Sequence, residues 1–262
     1  GAQNPAATNL FNELCSKKTL ATFYQRGFTP VEPTGKATPH TSPTKMSFQM
    51  KPIQLSLWVG AISVLLSLTP ALGLGWLLAR RNFWGKSFVS TLCLAPLVLP
   101  PVVTGWLLLQ LLATLGLPIA FTRWAAVLAA SVVGFPLLLI LTRQAIEAVD
   151  VRYPKLAETL GLHPFAAFVR VTLPMALPGI AAGCVLAFAR ALGEFGATAM
   201  LAGDHPDETR TLALAVYALT EQPGGTEPAA QLVGISIVIT LCALAAYERL
   251  VWKKRASSGT VK

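Results

Sequence analysis

Charge is what this 262-residue chain has least of. Asp, Glu, Lys and Arg make up 13% of it, where soluble domains carry about 25%. Acid is the scarcer sign, with 12 acidic against 21 basic side chains and a net charge of +9. Cysteine is sparse too: Cys15, Cys93, Cys184 and Cys242 contain no C-x-x-C pair, which leaves no disulfide framework or metal spacing to argue from. The three histidines, His40, His163 and His205, all fall in loops. The candidate nucleophiles Ser131 and Cys184 therefore have no nearby base in sequence, and an enzyme reading loses its footing. No phosphate-binding G-x-x-x-x-G-K-[ST] run exists, so hydrolysis of ATP would have to come from another chain.

What fills the chain instead is apolar: 53% of residues are hydrophobic and the mean hydropathy is +0.58. A span needs about 20 predominantly apolar residues. Five stretches qualify, at about Ile53 to Ala79, Ser87 to Leu115, Trp124 to Arg143, Ala176 to Leu201 and Gln231 to Leu250. The basic residues sit between these runs, so lipid topology explains them better than nucleic acid does. Arg80, Arg81 and Lys86 follow the first span, Arg143, Arg152, Lys155 and Arg170 separate the third from the fourth, and Arg249 to Arg255 follow the fifth. An odd number of crossings puts all three segments on one side, the cytoplasm. The N-terminus and the acidic loop from about Gly203 to Ala230 then face outward. Five spans are too few for the repeated halves of the usual secondary transporter.

Two spans carry irregularities. "LAPLVLPPVVTGW" places Pro96, Pro100 and Pro101 in the second, which predicts a broken, protein-packed span, with an ordinary proline kink as the alternative. "FARALGEFGATAMLAG" places Arg190 and Glu194 four apart in the fourth, on one helix face. Charges in spans face the interior or a cavity. The pair reads as structural or gate-supporting, with direct contact to a passing anion as the second possibility. Thr198, Pro100 and Pro101 join it as pathway or gate candidates. Gly193 and Gly196 permit close helix approach and mark a candidate dimer interface.

The polar segment after the third span reads as a short amphipathic helix, with Tyr153, Leu156, Ala157 and Leu160 at helical spacing. Gly161 suits its left-handed end and Pro164 the first turn of a second helix. "TLPMALPG" then predicts two further breaks before the fourth span. Gly161, nine residues and "VTLP" at Val171 to Pro174 resemble the EAA loop of ABC-importer permeases, although Lys155 and Leu156 depart from its leading residues. With "PLVLPPVVTGWLLL", "LAFARALGEFGATAMLAG" and "DETRTLALAVYALTEQPGG", the chain resembles the molybdate permeases of that family. Sulfate and tungstate permeases are the nearer alternatives, and a secondary transporter is the more distant one.

The resemblance implies an all-α integral membrane protein with about five transmembrane helices and a cytoplasmic coupling-helix loop, set in the inner membrane. It implies a second copy of the chain, a cytoplasmic ABC ATPase dimer that binds ATP and Mg, and a periplasmic oxyanion-binding protein. No cofactor, catalytic residue or metal site is expected in the chain, and no nucleic acid partner. Leu156, Ala157, Glu158, Gly161, Leu173 and Pro174 would form the ATPase-coupling loop. The permease domain would occupy residues 46–262. Residues 1–45 would be an outward tail with a Pro/Thr/Ser linker, similar to the C-terminal end of periplasmic molybdate-binding proteins. Fusion of such a remnant and a true start at Met46 or Met50 are both open.

Overall fold

The structure, a computed structural model, describes residues 50–206 and 208–257. The tail and linker read from residues 1–45 lie outside that range. The described chain is helical: α1 (Met50–Arg80), α2 (Lys86–Val98), α3 (Pro101–Thr114), α4 (Arg123–Glu147), α5 (Arg152–Thr159), α6 (Pro164–Ala167), a π-turn (Phe168–Thr172), α7 (Leu173–Leu192), α8 (Gly196–Ala202), α9 (Leu212–Thr220) and α10 (Thr226–Ser257).

α4 is the central helix: 67% of its most apolar window is buried, against 11% for α10. The reason lies in small residues. On α1, Ser56, Gly60, Ser63, Ser67, Ala71 and Gly75 recur every three or four residues and are all buried. In lipid there is no hydrophobic drive to bring helices together, so close packing of small residues does that work. A Cβ on Gly75 would lie 3.0 Å from Thr142 Cγ2 of α4, and one on Gly60 would lie 2.9 Å from the Phe188 ring of α7. The hydroxyl of Ser131 on α4 donates to Val127 O at 2.7 Å and lies 3.4 Å from Ser63 O of α1, so it belongs to the helix packing.

The same contacts fix the direction of each helix. Trp58 of α1 meets Trp124 of α4 edge-on at 5.3 Å, and Gly75 meets Thr142. Both helices therefore start at one end of the bundle and finish at the other. The chain from Arg80 to Arg123 must return across the full thickness, and α2 and α3 make that return. They meet at a 114° bend, yet Ser90 and Leu94 of α2 lie beside Leu139 to Glu147, while Leu112 of α3 packs with Ala125 and Ala126. The bent pair is thus one broken span, and the described residues cross five times.

Two expectations need correction. The second span is only half protein-packed: α2 has no buried residue, whereas α3 buries Thr104, Gly105 and Leu112. "TLPMALPG" does not break the chain, because helix runs without interruption from Pro164 through Leu192. For Pro174 the π-turn is the reason, whereas Pro178 is carried inside α7. Leu173 N–H bonds five residues back to Phe168 O, which widens the turn just where the ring of Pro174 would otherwise press on the Arg170 carbonyl.

Candidate functional site

At the end of the bundle where α1 and α4 finish, α5 and α6 form a knob. Its shape follows from two local signals. Gly161 has φ +94°, its N–H bonds to Glu158 O at 3.0 Å, and Leu162 N–H bonds to Ala157 O at 3.1 Å. This pairing of a left-handed residue with two nested bonds is the Schellman ending, which glycine alone adopts without strain. Pro164 then opens α6, with His163 Nδ1 accepting from Phe165 N–H at 3.3 Å.

Ala157 and Ala167 are buried where the two short helices meet the π-turn. Leu173 packs at the base of the knob with Ile146, Val149 and Ala176. Arg80 ties that base to α1, donating to Ile146 O at 2.9 Å and Val149 O at 2.6 Å. Leu156, Glu158 and Pro174 are exposed, as are Tyr153, Leu160 (79%) and Phe165 (71%). Sequence spacing picked out Tyr153 and Leu160 but missed Phe165, which follows a helix-starting proline and has no periodic partner. The result is a rigid base bearing uncovered apolar side chains flanked by Arg152 and Lys155.

Level with Gly60, in the first third of α1, two helix breaks meet. The fourth span is not one helix: α7 ends at Leu192, Gly193 to Phe195 turn the chain, and α8 restarts at Gly196. Arg190 is therefore in the last turn of α7 and Glu194 in the break itself. Arg190 Nη1 lies 2.7 Å from Glu194 Oε2, and Glu194 Oε1 accepts from Ala197 N–H at 2.9 Å. Glu194 is 2% exposed and the Arg190 side chain 33%. Phe195, the residue that caps α8, has no side-chain acceptor, and the neighbouring carboxylate takes over that role. A negative charge is favoured at that end of a helix.

The second break abuts the first. A Cβ on Gly196 would lie 3.1 Å from Pro101 Cβ and 3.1 Å from Val102 N. One on Gly105 would lie 2.8 Å from both Cα and O of Ala197. Thr198 is fully buried nearby in α8, Pro101 is half-buried and Pro100 exposed. The structure thus brings Arg190, Glu194, Gly196 and Pro101 into one region. Gly196 differs from its expected place on a face for a second copy, because it is spent on contact with α3 of its own chain. Gly193 stays exposed and lines an apolar groove of about 420 Å³ with Phe195, Tyr217, Val233 and Ile237. Tyr217 packs on Phe195 at 5.1 Å, and its hydrogen bond to Glu221 holds the phenol above its usual range. Gly105 was missed from sequence, since a lone glycine in an apolar run gives no sign of what lies opposite.

At the other end of the bundle, Arg210 forms a two-pronged pair with Asp204, at 2.7 and 3.0 Å. Leu212 N–H donates to Ser56 Oγ at 2.7 Å, which pins the start of α9 to α1.

The chain is similar to known proteins. The Escherichia coli K12 molybdenum transport system permease protein ModB is 42% identical over 79% of this chain and 95% of its own. Its Haemophilus influenzae counterpart is 40% identical over 77% and 93%. A chain of the MetNI methionine ABC transporter, in an inward-facing conformation, superposes with a TM-score of 0.62 at 17% identity, covering 80% of this chain and 99% of that one. It shares the fold. The family described as binding-protein-dependent transport system inner membrane component matches residues 71–255, a stretch that takes in the knob and both breaks. On five crossings, this sequence likeness and a family match over most of its length, the chain belongs to that family of inner-membrane transport components.

Proposed function

We propose that this chain is the permease subunit of an ATP-driven importer that carries molybdate across the inner membrane. The observation that carries the reading is the knob. A stiff, glycine-terminated helix pair at the basic end of the bundle presents Leu156, Leu160 and Phe165 uncovered. Its second helix, α6, is also the first turn of an uninterrupted helix reaching the break at Gly193. Such an element suits docking of a cytoplasmic ATPase dimer, which would hold ATP and Mg. The positive-inside rule favours this end as the cytoplasmic one, with the start of α1 and the Gly203–Thr211 loop outside. A periplasmic oxyanion-binding protein would deliver its ion there, as the family's description as binding-protein-dependent supports. A second copy would close the pathway, covering the Gly193 groove and the exposed face of α10, where Val233, Ile237 and Leu241 are uncovered.

Arg190 lies within the fourth span, and Glu194 already neutralises it. That favours transient over tight contact with a dianion, as passage requires. The test is uptake of labelled molybdate into proteoliposomes holding the chain with its ATPase and binding protein. ATP-dependent accumulation, suppressed by excess unlabelled molybdate, is expected. Accumulation of labelled sulfate or tungstate, with none of molybdate, would reassign the ion. Accumulation driven by an ion gradient without ATP would refute the reading.

A further inference from the structure

The family reading leaves open how motion of the knob reaches the breaks. Three observations bear on it. Helix is continuous from Pro164 at the knob to Leu192 at the break, so displacement at one end moves the other. Beyond Leu192 the regular helix stops at Gly193 to Phe195, where Glu194 N–H keeps only a short-range bond to Ala191 O at 3.2 Å, and the side chain of Glu194 reaches both flanking helices. One carboxylate oxygen holds Arg190 of α7 and the other holds the Ala197 N–H of α8. Finally, α8 bears directly on α3 through Gly196 and Gly105, at distances that leave no slack.

We infer that Glu194 is a positioning residue, a staple that carries movement of the knob-and-α7 lever into α8 and so onto the break at Pro100–Pro101. The inference rests on the proposed ATP-driven function and adds a specific link to it. A Glu194 serving only to neutralise Arg190 would need no second bond to α8. A Glu194 serving only to cap α8 would need no arginine. The two bonds diverge from one buried carboxylate to the two sides of a broken span, which is the geometry of a mechanical link. Energetic coupling between distant sites runs through contiguous contacts of this kind.

The test uses the full complex in proteoliposomes and reads ions moved per ATP hydrolysed. Loss of folded complex lowers both quantities together and leaves the ratio unchanged, so the ratio separates linkage from stability. Glu194→Ala breaks both bonds, and the ratio is expected to fall about tenfold or more while hydrolysis persists. Glu194→Gln keeps the acceptor for Ala197 N–H but loses the charged pair, and should fall between. Arg190→Ala combined with Glu194→Gln should be no worse than Glu194→Gln alone, since both sever the same link. An unchanged ratio in Glu194→Ala overturns the inference. A wild-type complex that moves no ion faults the functional reading instead. The staple is then judged by hydrogen exchange with and without ATP: Glu194→Ala must abolish the nucleotide response of 193–202 while 152–167 keeps its own. Identical responses in wild type and variant overturn it.

Discussion

Gly105→Ala is a sharp perturbation at the contact between the two helix breaks. The added methyl would sit 2.8 Å from Ala197 Cα and O and 2.9 Å from Met200 Cβ. Carbon atoms prefer about 3.5 to 4.0 Å, so the two carbon contacts would each fall short by roughly 0.6 Å or more, and the third presses on a carbonyl oxygen. Two of the three atoms are backbone, and no rotamer change can relieve them. Either α8 or α3 must move, and each is held at its start by the opposite break. Overpacking costs about 1–3 kcal/mol, and this site belongs at the upper end. Gly73→Ala is the control: it adds the same methyl to α1 where nothing lies within 4 Å. Thermal unfolding of the purified complex, followed by tryptophan fluorescence, should show Gly105→Ala clearly less stable and Gly73→Ala close to wild type. Equal stabilities would refute the claim that the two breaks are in tight contact.

Two further predictions concern the knob. Gly161→Ala forces an L-residue into φ +94° where no neighbouring atom lies within 4 Å, so its cost is conformational, roughly 1–2 kcal/mol. It should weaken binding of the ATPase subunit in a pull-down about tenfold, and Gly161→Asn, which tolerates that backbone region better, should weaken it less. Arg80→Ala removes two charged hydrogen bonds to the carbonyls at the end of α4, at 2.9 and 2.6 Å. Bonds to charged groups are worth about 1.5–3 kcal/mol each; hydrogen exchange in residues 146–151 should rise several-fold, and unchanged exchange would count against this anchor.

The knob was legible in the sequence because its determinants are local. Gly161 and Pro164 act through their own backbone preferences, and the structure places both where those preferences demand. The five crossings were legible because lipid imposes a length on every span. The break at Gly193 was not, since composition stays apolar through Leu201 and hydropathy does not register a change of axis. Pro174 and Pro178 misled for the opposite reason. A proline penalises an ideal α-turn, but the π-turn at Phe168–Thr172 absorbs the first, and nothing in the residue pattern announces that extra residue. Gly105 and Gly196 take their meaning from the helix opposite, which only the assembled bundle supplies. Glu194 lies between the two cases: its pairing with Arg190 follows from spacing, whereas its bond to Ala197 N–H depends on a helix start hidden in the sequence.

The account turns on the side to which the knob projects. Cys15, Cys93, Cys184 and Cys242 can be replaced by serine or alanine, and Leu160→Cys, at an exposed position on the knob, then offers a single thiol. A membrane-impermeant maleimide should label it in inside-out vesicles and leave it unlabelled in intact right-side-out vesicles. Labelling from outside in intact vesicles would place the knob away from ATP and contradict the account.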